Sequence, residues 1–95
     1  MNNKPICKVD EYGTKYWHFN GKLHRENGSA IECSNGHKYW YLNGERHRED
    51  GPAVEHPDGH KSWYLNGKLY SKKDYYKELV KRGIMTYEEA VLEML

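Results

Sequence analysis

The sequence predicts a mainly β fold: an antiparallel meander of β-hairpin repeats, closed by a short C-terminal helical segment. Three observations predict it. Glycine recurs at Gly13, Gly36 and Gly59, a step of 23 residues. At that step Trp17, Trp40 and Trp63 superpose, as do Asn20-Gly21, Asn43-Gly44 and Asn66-Gly67. After Tyr70 the pattern changes from strand-like to helical. A fixed period of this size marks units that cannot bury a face alone and must stack.

The unit is clearest from Gly36 to Glu55. Lys38 to Leu42 is rich in aromatic residues, which suit a pleated strand. Asn43-Gly44 tolerates positive φ at both positions, as a two-residue type I′ hairpin requires. Glu45 to Arg48 is then the returning strand. Glu49-Asp50-Gly51-Pro52 signals a second turn, Ala53 to Glu55 a short strand, and His56-Pro57-Asp58-Gly59 a third turn. Across copies His24 matches His47, with Tyr70 in the third place; Arg25 matches Arg48, Gly28 matches Gly51, Ala30 matches Ala53 and Glu32 matches Glu55. Pro5 to Val9 reads as a leading strand that pairs with the first hairpin.

The run Trp40-Tyr41-x-Asn43-Gly44-x-x-His47-Arg48-x-x-Gly51-Pro52-Ala53 resembles the MORN repeat, in the variant found in bacteria and bacteriophages. The resemblance covers roughly residues 12–70. It implies an elongated antiparallel sheet of successive hairpins that serves as a binding scaffold.

Residues 1–70 are thus expected to form the hairpin sheet and residues 71–95 the helical cap. Ser71 followed by Asp74 is a capping-box variant, and Tyr75, Tyr76, Leu79 and Val80 recur at helical spacing. Lys81-Arg82-Gly83 is a stop signal. Thr86-x-x-Glu89 starts a second helix, with Tyr87, Ala90, Val91 and Met94 as its apolar stripe.

Composition bounds the function. Hydrophobic residues make up only 37% of the 95, with a mean hydropathy of −1.11, which points toward disorder. An aromatic content of 14% opposes that, because large rings supply the missing burial. A net charge of +1 gives no general drive toward nucleic acid or anionic membrane. No stretch approaches the ~20 apolar residues of a membrane span, and no signal peptide is visible, so a cytoplasmic location is expected. Cys7 and Cys33 are expected to be reduced thiols, without the short spacing of a metal site.

Strand alternation puts Trp17 and Phe19, Trp40 and Leu42, and Trp63 and Leu65 on one face, the expected core. His24 and His47 then sit opposite Trp17 and Trp40, filling cross-strand slots and bonding backbone or neighbouring acids. The other face is expected to carry a polar aromatic strip of Tyr16, His18, Arg25, Tyr39, Tyr41, Arg48 and Tyr64. Interfaces favour Tyr and Arg, so this strip is the candidate partner-binding site. The acids Glu26, Glu32, Glu49, Asp50, Glu55 and Asp58 read as turn and edge residues, and no catalytic constellation outweighs a structural explanation.

Two functional readings stand above a hydrolase. The first is a non-enzymatic interaction module whose partner is a host protein, with a small phage-encoded inhibitor of a host defence protein as the form that the resemblance implies. The second is a protein that sequesters a nucleotide by stacking bases on the aromatic residues while arginine holds phosphate. No cofactor or membrane contact is expected, and an uncovered sheet edge near the N-terminus would allow a homodimer.

Overall fold

The computed structural model describes residues 4–95. Its strands are β1 (Ile6–Val9), β2 (Lys15–Phe19), β3 (Lys22–Leu23), β4 (Ile31–Glu32), β5 (Lys38–Tyr39), β6 (Tyr41–Leu42), β7 (Glu45–Arg46), β8 (Val54–Glu55), β9 (Lys61–Leu65) and β10 (Lys68–Tyr70). Two helices follow, α1 (Lys72–Lys81) and α2 (Tyr87–Met94). Every strand pairing is antiparallel. The main sheet runs β1-β2-β4-β5-β8-β9-β10 with β3 also on β2, and β6-β7 forms a separate ribbon.

The Asn-Gly pairs make the hairpins. Asn20, Asn43 and Asn66 have φ of 51°, 50° and 52°, and the glycine after each is also positive. Both central residues are therefore left-handed, the geometry whose twist matches a right-handed strand pair. That turn fixes the register: His18 faces Leu23, Tyr41 faces Arg46, and Tyr64 faces Leu69.

The hairpins are joined by side chains as well as by sheet. The His24 Nδ1 accepts the backbone N–H of Asn43 at 2.9 Å, and the His47 Nδ1 accepts that of Asn66 at 2.9 Å. Their Nε2 atoms face Glu26 and Glu49, at 3.4 and 2.9 Å. Each histidine thus clips its own hairpin to the turn of the next, with Nδ1 as acceptor and Nε2–H as donor. A row of alternating charge crosses the sheet beside them: Lys15 faces Glu32, Glu32 faces Lys38, Lys38 faces Glu55, and Glu55 faces Lys61.

The core differs from the tryptophan layer that the sequence predicts. All three indoles are only half-buried, because among the described residues no second sheet covers them. The fully buried residues between repeats are small, Ala30 and Ala53. The main apolar cluster sits at the C-terminal end, where Leu65 packs with Tyr75, Tyr76, Leu79 and Ala90, and Trp63 leans on it. Both N-caps form, but only the second is a full capping box. Ser71 Oγ accepts the Asp74 N–H, and Thr86 and Glu89 make a reciprocal capping box. Tyr87 departs from the expected stripe: it is 67% exposed, and α2 meets the core through Ala90 and Met94.

Tyr75 ties helix to repeat. Its hydroxyl donates to the Arg48 carbonyl and accepts the Gly51 N–H at 3.3 Å. Burial pushes its pKa up to about 12 from 10.0. Between those values the folded chain keeps a proton that the unfolded chain has released, so this contribution is full below about pH 10 and fades as pH rises to about 12. Tyr75→Phe is expected to lower stability at neutral pH by about 1–3 kcal/mol, since it orphans a buried donor and acceptor. It should also weaken the alkaline decline in urea titrations. His47→Ala should cost about 1–3 kcal/mol by the same measurement, because the Asn66 N–H loses its acceptor.

Candidate functional site

Pairing and alternation sort the strand residues onto two faces. With Trp17 lie Cys7, Lys15, Phe19, Lys22, Glu32, Lys38, Glu45, Glu55, Lys61, Trp63 and Lys68. With Tyr16 lie Ile6, Lys8, His18, Leu23, Ile31, Tyr39, Tyr41, Arg46, Val54, Ser62, Tyr64 and Leu69. The tyrosine face therefore carries two formal charges on its strands, Lys8 and Arg46, and both are positive. Ile6 and Leu69 lie on it at 61% and 59% exposure.

The structure corrects two members of the expected strip. Arg25 and Arg48 do not join the tyrosines. β3 ends at Leu23 and β7 at Arg46, so the chain leaves strand geometry before either arginine. The Arg25 N–H then bonds the Tyr41 carbonyl of the next copy, and the Arg48 N–H that of Tyr64. Their guanidinium groups lie over Trp17 and Trp40, at 3.8 and 3.9 Å from the ring centroids. Arg25 also donates to the Ser29 carbonyl and Glu32. Arg48 donates to Asp50, the Pro52 carbonyl and Glu55. Both hold the Gly-containing turn against the indole, which is a structural role.

Arg46 occupies the place assigned to them. Its Nε–H donates to the Tyr41 hydroxyl at 3.0 Å and an Nη1–H to the Tyr64 hydroxyl at 3.4 Å. Its Cζ lies 5.5, 5.9 and 5.4 Å from the rings of Tyr39, Tyr41 and Tyr64. Partial burial opposes its charge, but the two phenol hydrogen bonds outweigh that and raise its pKa. Among the described residues no carboxylate lies within ion-pair distance of it. The signal for Arg46 was local: counting back from Asn43-Gly44 puts residue 46 across from Tyr41.

Tyr39, Tyr41 and Tyr64 are brought together; Tyr16 and His18 are not part of that cluster. Tyr16 shares a row with Tyr39 across Ile31, and its hydroxyl meets Asp10 at 3.4 Å. His18 sits beside Leu23 with a buried Nδ1 that has no partner among the described residues. Next to Tyr39, His37 Nδ1 and His56 Nδ1 meet at 2.6 Å and tie neighbouring turns. Among the described residues no three His, Cys, Asp or Glu side chains are placed to hold a metal ion.

An open groove of about 920 Å³ lies on the opposite face, between the second hairpin and the helices, with Trp40, Leu42 and Met85 in its wall. Its charged groups are mostly paired internally, Arg48 with Asp50, His47 with Glu49, and Glu89 with the Thr86 cap. Arg46, an arginine without an ion pair among the described residues and bonded to two phenol hydroxyls, makes the tyrosine face on the molecule's other side the stronger site.

Comparison with family models, with curated proteins and with solved structures finds no match in any of the three. No helix among the described residues is long and apolar enough to cross a membrane.

The two arginine classes should separate by stability. Arg48→Ala is expected to cost about 2–4 kcal/mol in urea denaturation, since a carbonyl, two acids and an indole lose their partner. Arg46→Ala should stay within about 1 kcal/mol, as it removes only contacts to half-exposed phenols.

Proposed function

We propose that this chain is a non-enzymatic binding module, a MORN-like repeat scaffold that captures a partner protein on its tyrosine face. One observation carries the reading: an arginine without an ionic partner, ringed by three tyrosines, on a face whose strands carry no acid. Tyr and Arg give large contact area at low entropic cost, and they dominate binding hot spots. Exposed Ile6 and Leu69 extend the patch on either side. The repeats supply the rigidity that such a surface needs, because histidine clips and arginine staples of the first two hairpins fix the array from the far face.

In the form that the resemblance suggests, the partner is a host protein, and the chain is a phage-encoded inhibitor that occupies a defence protein in the cytoplasm. The same tyrosines and Arg46 also support the nucleotide reading, with a base on a phenol ring and a phosphate on the guanidinium. β1 lies at the end of the sheet order with its outer edge unpaired among the described strands, which supports a homodimer by edge addition.

Capture from host lysate by the tagged chain, read by mass spectrometry, tests the proposal. A specific partner should be retained by the parent chain and by Lys61→Ala, which lies on the other face. It should be lost with Tyr41→Ala/Tyr64→Ala, with the circular dichroism spectrum unchanged. Capture that ignores the double change would refute the tyrosine face as the surface. Thermal stabilisation by a nucleotide, abolished by the same change, would favour the second reading.

A further inference from the structure

We infer that Arg46, Tyr41 and Tyr64 form an anion socket that receives a carboxylate from an acidic segment of the partner. This rests on the tyrosine face being the binding surface, and it names the chemistry of what that face takes.

The donor inventory carries it. A guanidinium has five N–H donors. Arg46 uses Nε–H on Tyr41 and one Nη1–H on Tyr64. The other three have no acceptor among the described residues. In both bonds the phenol oxygen accepts, which leaves the O–H of Tyr41 and of Tyr64 as a donor. Neither O–H has an acceptor among the described residues. The outcome is a cluster of donors with a fixed positive charge and no acceptor of its own. Two phenol hydrogen bonds and three neighbouring rings hold the guanidinium, so part of its ordering cost is met before a ligand arrives. A planar fork flanked by hydroxyls matches a carboxylate, which can take two parallel N–H bonds and an O–H bond together.

The molecule's own acids explain why the socket is empty of protein groups. Glu32, Glu45 and Glu55 all lie on the other face. There Arg25 and Arg48 draw Glu32 and Glu55 into the structural staples. Arg25 and Arg48 match in the repeat and have these partners; Arg46 matches Leu23 and Leu69, and has none. Charge on the face also selects the source of the anion. Lys8 and Arg46 are its two strand cations, and net charge is only +1. A lipid headgroup surface or a nucleic-acid backbone draws on several clustered cations. A protein segment offers one acidic group for the socket and apolar atoms for the exposed Ile6 and Leu69.

The test titrates the full chain, labelled with ¹⁵N, with a blocked octaglutamate peptide, an octalysine peptide and inorganic phosphate. Octaglutamate should shift the Arg46 Nε–H resonance and the tyrosine ring signals of residues 41 and 64. Arg46→Gln should weaken it by at least about tenfold, as loss of a charge-assisted bond implies. Lys61→Gln, an equal charge change on the far face, should leave it unaltered. Equal weakening by both variants would mean diffuse attraction and would overturn the socket. So would phosphate or octalysine binding as tightly as octaglutamate. Failure of the two readings is separable. If Arg46→Gln still captures a lysate partner that Tyr41→Ala/Tyr64→Ala loses, the face stands and the socket falls. If octaglutamate binds at Arg46 and no captured protein depends on the face, the socket stands and the partner reading falls.

Discussion

The bond from a left-handed asparagine to the imidazole of the preceding copy sets the construction of this molecule. Asn43 to His24 and Asn66 to His47 are the same contact one repeat apart, each at 2.9 Å. It couples two features that seem unrelated along the chain. The Asn-Gly turn, with both central residues at positive φ, gives its asparagine N–H to the preceding copy rather than to its own hairpin. The histidine four residues after that asparagine then offers an acceptor to the next turn. Neighbouring backbone contacts repeat with the same register: the Gly44 N–H meets the Leu23 carbonyl, and the Gly67 N–H meets the Arg46 carbonyl. A short hairpin is marginal alone, so stacking of this kind is what gives it a single structure.

The two faces divide the work. On the tryptophan side, the lysine–glutamate row, the arginine-covered indoles and the helices of the cap provide cohesion. That side is crowded with charge: Arg25 and Arg48 pair with Glu32, Asp50 and Glu55, and Lys15, Lys38 and Lys61 stand across the strands from Glu32 and Glu55. The tyrosine side contributes less to holding the chain together and keeps its hydrogen-bonding capacity for something else. A mutation on the tryptophan side should therefore act more strongly on folding than one on the tyrosine side, which is how a small scaffold can vary one surface without losing its shape.

Much of this was legible from residues. The period of 23, the Asn-Gly turns, the N-caps at Ser71 and Thr86 and the structural part played by His24 and His47 follow from local chemistry, and the coordinates agree. The errors have a common cause: each extended a local periodicity past the end of the element that justified it. Arg25 and Arg48 were assigned to the tyrosine face by alternation, but the returning strands stop two residues earlier. Tyr87 was given a core position by helical spacing, but it is the first residue of α2 and faces solvent. Alternation puts the core on the tryptophan face, which holds at Leu65 and not at the half-buried indoles. With a single layer over most of the sheet, Trp17 and Trp40 are covered by the guanidinium groups of Arg25 and Arg48, and Trp63 by the helical cap. Arg46 is legible from the hairpin register but not from the repeat, which has Leu23 and Leu69 at its place.

The substitution of tyrosine for histidine at residue 70 gives the array an end. A phenol there has no ring nitrogen to hold a following turn, and Arg82 from the helix tail instead reaches the Asn66 side chain at 2.7 Å. The last unit is thus a terminator, written in one residue and read by the cap. Gene duplication could lengthen such a chain by copying an inner unit, each newcomer arriving with its own fastening. A copy of the final unit would arrive without that fastening, because its histidine place is filled by Tyr70.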